Sequence, residues 1–419
     1  MSREKPVDEA RNRFTPLAVV KSLGPGLISG ASDNDPTTVA TMAVLGSTTV
    51  YGLSWLTILV FPILATVQFI AAQVGLVSKR GLQQAVRELY GVRWGLVLLV
   101  SILAVNLFTV GADLEGGAAA LGLLFGVAWQ WFMIPLAAVL LVVLVIGSYD
   151  EVESVLKYVL LVFAAYIISA FLAHPKWGDV LHNTVLPPLS LNSTYVQGAL
   201  ALLGTTLTSY AYVWETIQEA REREKVTHLG LARADAGFGM FFAVGTFWFI
   251  LVSTGTTLGL HHKHVATAQQ AAQALRPAAG PIASDIFAIG LLASAVIAVP
   301  VLVASSAHII GTEFRWSVGL SKPVRQAKAF YAALVAVMTV GVLISFLGIS
   351  PIQILFIAGI IGGLGTPISL AFLLLVGRAR RVMDGHAIGR VLMVIGWIVT
   401  TMISAISLFF LWQQFGSKL

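Results

Sequence analysis

The sequence predicts an all-α integral membrane protein with 11 transmembrane helices, of which helices 1 and 6, five spans apart, are interrupted. Three observations predict this. The 419 residues are 57% hydrophobic and only 11% charged, far from the ~25% charged residues of a soluble domain. Apolar runs of about 18 residues or more recur along almost the whole chain, each able to cross a hydrocarbon core ~30 Å thick as a helix. Two of these runs, five spans apart, are broken by glycines and polar residues. Paired broken spans mark an inverted-repeat transporter, whose half-helix ends line a site at the membrane midplane.

Taken in order, residues 1–16 form a charged tail that includes "MSREKPVDEARNRF". It differs from a cleavable signal peptide, whose basic start leads straight into an apolar core. Residues 17–419 form a single transmembrane domain, since no linker, low-complexity stretch or charge run divides them. Spans are expected near 17–47 (interrupted), 51–77, 95–124, 129–148, 155–173, 195–219 (interrupted), 236–260, 282–310, 328–348, 352–377 and 389–412. The first contains Gly24, Pro25, Gly26 and Gly30, then Asp33 to Thr38; the sixth has Gly204 followed by Thr205, Thr206, Thr208 and Ser209. Either break alone reads as a kink or a small-residue packing site. Both together, with acids in one, point to transport. The longest outer connections are "HPKWGDVLHNTVLPPLSLNS" and "HHKHVATAQQAAQALRPAAG". The second, rich in Ala and Gln, is expected to hold a short surface helix.

Charge placement orients the chain. With a cytoplasmic N-terminus, 22 of the 26 basic residues fall inside, leaving Lys176, Lys263, Arg276 and Lys418 outside. This positive-inside bias explains the net charge of +6 and supports an odd span count, with the C-terminus outside. It also removes the need for a nucleic-acid partner. The chain has no cysteine, which excludes disulfides, thiolate metal sites and cysteine nucleophiles. Without a Walker motif, a nucleophile elbow or metal-hydrolase spacing, an enzyme is not expected.

Asp33 and Asp35 each cost a few kcal/mol if charged near the membrane centre, so they mark function or a buried pairing. No Lys or Arg lies between Lys21 and Lys79, which favours a bound cation over a local ion pair. Pro36 pushes Asp35 out of helical geometry and frees carbonyls near residues 32–34. Carboxylates and carbonyls make a hard-oxygen site suited to Mg²⁺, Mn²⁺ or Ca²⁺, and the carbonyl end of the first half-helix adds attraction for a cation. In the third span, "VGADLEGGAAALG" carries Asp113 and Glu115. Two residues apart on a helix, they face different directions, so one at most looks into the same cavity; either can instead be a protonated acid bonded to a neighbouring helix. Glu215 and Glu219 share a face of the sixth span. Glu215 is a candidate proton acceptor on the inner route, or a solvated partner of Arg223. His261, His262 and His264 offer a metal-scavenging loop or a solvated segment.

"GPGLISGASDNDPTTVAT" (24–41) resembles the first-span signature of the NRAMP divalent-metal transporters, G-P-G-L, seven residues, then D-P-G-N-x-A-T. Asp35-Pro36 matches the D-P and Ala40-Thr41 the A-T, while Thr38 stands at the metal-binding Asn. "ALLGTTLTSYAY" is similar to the sixth-span form L-G-A-T-x-M-P-H-N, and "GLLASAVIAVPVLVASSAHIIGTEF" extends the likeness through the eighth span. The resemblance implies a LeuT-type 5+5 inverted repeat. It also implies that Asp35, Thr38, the Thr205 carbonyl and Thr208, joined by Asp33 and Asn34, hold the metal, with Asp113 at the family's proton-route acid. Thr208 replaces the selective methionine, and Tyr210 a histidine linked to proton movement. Glu215 aligns with a second histidine. Losing the sulfur leaves an all-oxygen site, similar to the NRAMP-related magnesium transporters, which take a partly hydrated ion. The alternative for Thr208 is interhelical packing.

The expectation is therefore a monomeric importer of Mg²⁺ or Mn²⁺ in the cell membrane, by alternating access, with proton coupling in doubt. The ion is substrate, no cofactor is expected, and the lipid bilayer is the other partner. Two rivals stay open: an ion-coupled transporter of a small organic substrate such as an amino acid, and a non-transporting membrane sensor.

Overall fold

Asp35 holds extended backbone (φ −64°, ψ 161°) directly before Pro36. The residue before a proline is pushed out of the helical region, whereas a proline in the first turn of a helix gives up no needed donor. The first span therefore divides into α1 (Pro25–Ser32) and α2 (Pro36–Thr49). The structure is a computed structural model that describes residues 25–146, 163–190, 192–222, 229–262, 268–347 and 351–415. The helices that follow are α3 (Ser54–Ser78), α4 (Leu82–Tyr90), α5 (Val92–Phe125), α6 (Gln130–Ile146), α7 (Ala164–Leu172), α8 (Trp177–Val185), α9 (Ser193–Thr206) and α10 (Ser209–Glu222). They continue with α11 (Leu229–Thr257), α12 (Ala268–Glu313), α13 (Lys328–Ser345), α14 (Pro351–Arg378), α15 (Arg380–Met383) and α16 (Arg390–Phe415). No strand occurs among the described residues.

The second break, between α9 and α10, has no proline. Leu207 leaves helical geometry (φ −103°, ψ 55°), and the hydroxyls of Thr205 and Thr206 turn back onto the carbonyls of Ala201 and Leu202 at 3.0 and 2.9 Å. Such back-bonding gives carbonyls already inside the helix a second donor and bends it.

By length and composition, six helices among the described residues are able to cross a membrane. The broken and shorter spans fall outside that count. The interrupted spans fall into pieces of 8 and 14 residues and of 14 and 14 residues, and α6 has 17 residues. Residues 147–162, where the fifth expected span begins, lie outside the described residues. Two connections also differ from expectation. The Ala/Gln-rich stretch forms no separate surface helix but runs on into α12, as strong helix formers permit. The preceding outer connection contains α8, whose Trp177 stacks on Trp248 at 6.3 Å.

Packing repeats at an offset of five spans. The most extensive contact is between α5 and α12, the third and eighth spans. Around them α1 and α2 pack on α11, and α10 packs on α3, so spans 1 with 7 and spans 6 with 2 make corresponding pairs. Small residues permit both approaches. A β-carbon at Gly30 would lie 2.2 Å from the Gly239 carbonyl, and one at Gly75 would lie 2.5 Å from the Thr216 carbonyl. With no hydrophobic drive between helices in lipid, such close backbone contact is what holds spans together.

Candidate metal site between the two broken spans

The start of α2 exposes amide donors that no helical carbonyl can reach. Asp35 caps one: its Oδ1 accepts from the Thr38 amide at 2.7 Å. Asp113, brought in from α5, covers its neighbour, with Oδ1 accepting from the Thr37 amide at 3.2 Å and the Thr37 hydroxyl at 2.8 Å. Two carboxylates thus share the positive end of one half-helix, where anions are favoured by about 0.3–1 kcal/mol each at exposed sites and more when partly buried. Thr37 was missed in the sequence. Its place directly after a proline at a helix start is the signal that marks it.

Two side-chain bonds join the breaks. The Thr38 hydroxyl donates to the Thr205 carbonyl at 3.3 Å, and the Thr208 hydroxyl donates to Asp33 Oδ1 at 3.1 Å. Tyr210 completes the contact, donating to the Ser32 carbonyl and, at 3.2 Å, to Asp35 Oδ2. The Ser32 carbonyl, expected to face a cavity free, is therefore taken by this phenol. The Asn34 side-chain Nδ2 donates to the Gly30 carbonyl at 3.3 Å.

Asp33, Asn34, Asp35, Thr38, Asp113 and Tyr210 are each no more than 1% exposed, whereas Thr205 and Thr208 are partly exposed, on the α9 side. On the α10 side Ser29, Ser32, Glu215 and Thr216 are fully buried. No Lys or Arg is among the buried residues described. Asp33 Oδ2, Asn34 Oδ1 and Asp113 Oδ2 are buried acceptors without a hydrogen-bond partner, each carrying an unmet desolvation cost of about 1–3 kcal/mol or more. A cation is the kind of group that satisfies such acceptors. No three His, Asp or Glu side chains converge as a ready-made cluster among the described residues; the donor set is instead carboxylates interleaved with hydroxyls and a carbonyl.

The remaining candidates separate. Glu115 is buried, with Oε2 unpartnered, and shares none of these bonds, as its offset from Asp113 requires. Glu215 is fully buried rather than solvated and accepts from the Ser29 hydroxyl at 2.7 Å; Arg223, its alternative partner, lies outside the described residues, and Glu219 is buried as well. His261 and His262 are exposed, and His264 lies outside the described residues.

This architecture, with two broken spans facing each other across paired repeats, is that of the LeuT-type helical membrane proteins. Within that class the chain belongs to the Nramp family, "Natural resistance-associated macrophage protein-like", which matches residues 26–413. Members of that family are metal transporters rather than enzymes. A divalent metal cation transporter, MntH, of Deinococcus radiodurans is 25% identical over 418 residues, covering 95% of this chain and 91% of its own length. Among solved structures, the manganese transporter of Eremococcus coleocola superposes with a TM-score of 0.73 at 18% identity, covering 94% of this chain and 86% of that one. Mhp1, a nucleobase-cation-symport-1 family transporter, gives 0.63 at 13% identity, covering 94% and 93%. These last two likenesses establish the fold.

Proposed function

We propose that this chain imports a divalent metal cation, with Mg²⁺ and Mn²⁺ the leading substrates, through an all-oxygen site between the two broken spans. The observation that carries the reading is that buried Asp33, Asp35 and Thr38 meet the partly exposed Thr208 and Thr205 carbonyl, hydrogen-bonded across the breaks, with no Lys or Arg among the buried residues described. Its donors are hard oxygens and its carboxylates few, which suits an ion that keeps several waters. The related MntH transporters support a divalent substrate.

The protein is read as a multi-pass protein of the cell membrane, N-terminus cytoplasmic and C-terminus outside, working as a monomer. On this topology the partly exposed Thr205 and Thr208 face outward and the buried Ser29–Glu215 contact closes the inner side; rocking of the half-helices about the site exchanges the two. Tyr210 stands where the family has a histidine and cannot cycle a proton near neutrality as imidazole does. The membrane potential, about 2.3 kcal/mol per charge per 100 mV, suffices as a driving force without a coupled proton. The amino-acid alternative is disfavoured because the α2 N-terminus, where a substrate carboxylate would dock, is already occupied by Asp35 and Asp113.

The test is uptake of Mg²⁺, Mn²⁺ and Ca²⁺ into proteoliposomes with an internal pH dye, wild type against Asp35→Ala. Loss of uptake in the variant is expected. Uptake that survives the substitution sinks the site, and acidification that tracks metal entry restores proton coupling.

A further inference from the structure

Five arginines gather at the end of the bundle where α5 begins, α14 ends and α16 begins: Arg93, Arg378, Arg380, Arg381 and Arg390. All five are exposed, and none forms an ion pair among the described residues. The neighbouring carboxylates are committed elsewhere, Glu88 to Arg80 and Glu313 to Arg87. Asp384 is the one acid within residues 378–390. The fold draws this rim together. The Ile388 amide donates to the Gly377 carbonyl at 3.0 Å, which turns residues 378–390 back on themselves, and Val382 and Met383 of α15 are buried while Arg380 and Arg381 stay outside. Tyr90 and Trp94 both rest on Phe372 of α14, with ring centroids 6.0 and 5.8 Å apart. That contact seats the start of α5 beside the end of α14, since Arg378 lies about 9 Å beyond Phe372 along the helix. From there an apolar stripe follows α5: Val92, Leu96 and Val100 recur four residues apart and are 49%, 40% and 65% exposed.

We propose that this rim binds an anionic phospholipid, its phosphate held by Arg93, Arg378 and Arg390 and its acyl chain laid along the Val92–Leu96–Val100 stripe past Trp94. Both α5 and α16 are long and apolar enough to cross a membrane, so the stripe meets hydrocarbon where the arginines meet headgroups. Tyrosine and tryptophan sit at that same depth in a bilayer. Basic recesses between spans recognise anionic headgroups, and the basic residues here are all arginine, whose planar fork grips a phosphate with two parallel bonds where lysine offers a point charge. Free phosphate could use the arginines but leaves the apolar stripe uncovered. A zwitterionic lipid brings an ammonium group that the arginines repel. A bound anionic lipid links the ends of three helices and so stabilises the folded chain. The inference needs only a chain that spans a membrane; it is independent of which ion is carried and of which end faces the cytoplasm.

The experiment is thermal unfolding of the full-length protein in detergent micelles titrated with dioleoylphosphatidylglycerol, dioleoylphosphatidylcholine or inorganic phosphate, while native mass spectrometry counts the lipids retained. Phosphatidylglycerol is expected to raise Tm saturably and to stay bound; phosphatidylcholine and inorganic phosphate are expected to do neither. Arg378→Gln is expected to raise the half-saturating phosphatidylglycerol concentration about fivefold, and Arg378→Gln with Arg390→Gln roughly twentyfold. Arg378→Lys keeps the charge but loses the fork, and is expected to fall between wild type and Arg378→Gln. The control is Arg315→Gln with Arg325→Gln, which removes the same charge from exposed positions on the loop after α12, at the same end of the bundle because Glu313 meets Gln83 of α4. It is expected to leave the titration unchanged. Phosphatidylcholine matching phosphatidylglycerol overturns the inference, as does an equal shift from inorganic phosphate. So does an Arg378/Arg390 variant with wild-type half-saturation, or a control variant that loses as much, which would assign the effect to diffuse surface charge. The retained-lipid count reads binding directly, so a variant whose starting Tm differs is still measured.

Discussion

Tyr210 donates its single hydroxyl proton toward two acceptors on the first span, the Ser32 carbonyl and Asp35 Oδ2. The tyrosine lies on α10 just past one break, and its acceptors flank the other. One phenol therefore adds a third link between the two interruptions, beside the Thr38–Thr205 and Thr208–Asp33 bonds.

Tyr210→Phe removes that donor and leaves two buried acceptors without it, at a cost of about 1–3 kcal/mol each if nothing moves in. A bound cation compensates part of this loss. The expected outcome is a lower Tm for the metal-free variant, together with a larger Tm rise on adding saturating Mg²⁺ than wild type shows. An equal or smaller rise would mean that Tyr210 is remote from the ion.

Thr37→Ala deletes the shorter of the two bonds that hold Asp113 to the start of α2. A hydrogen bond contributes about 0.5–1.5 kcal/mol net, and a loss in that range is expected in thermal or chemical unfolding of the detergent-solubilised protein. In an Asp113→Ala background the same change should cost almost nothing, since the partner is gone. Additive losses would deny the contact.

Two glycines of the broken spans should respond in opposite ways. Gly30→Ala drives a β-carbon to 2.2 Å from backbone of α11 and is expected to abolish a monodisperse folded species on size-exclusion chromatography. Gly204→Ala meets nothing within 4 Å and should be neutral or stabilising by up to ~1 kcal/mol, as helix propensity alone dictates.

Because the native chain has no cysteine, single cysteines report access directly. Thr205→Cys, at a partly exposed position, is expected to react with a membrane-impermeant thiol reagent added from outside. Ser29→Cys, fully buried, is expected to stay protected in the same conformation. Rapid labelling of position 29 alone from the outside would reverse the topology.

The local rules of the chain reveal the frame more readily than the cross-links. The Asp35-Pro36 dipeptide announces its own break because proline acts on its immediate neighbour, and Gly204 with its threonines marks the second break by composition. The offset of Glu115 from Asp113 follows from helical periodicity. Thr37 meeting Asp113 depends on segments 76 residues apart, and Ser29 meeting Glu215 on segments 186 apart; no periodicity encodes either. The loss of the Ser32 carbonyl to Tyr210 is of the same kind. The helix α8 was hidden because a short amphipathic turn between prolines reads as loop, and its tryptophan pairing with α11 supplies the stability that its length lacks.

The short helix α4, lying between the second and third spans, is tied to neither of them alone. Its first amide, at Leu82, donates to the Thr216 hydroxyl of α10 at 2.9 Å, and its Gln83 and Arg87 hold Glu313 at the end of α12 at 2.7 and 3.3 Å. A nine-residue connector from one half of the molecule thus grips two spans of the other, like a clasp across a seam. A path that opens beside α10 on this side must first undo that clasp or carry it along, so motion there is governed partly by residues far from the two breaks.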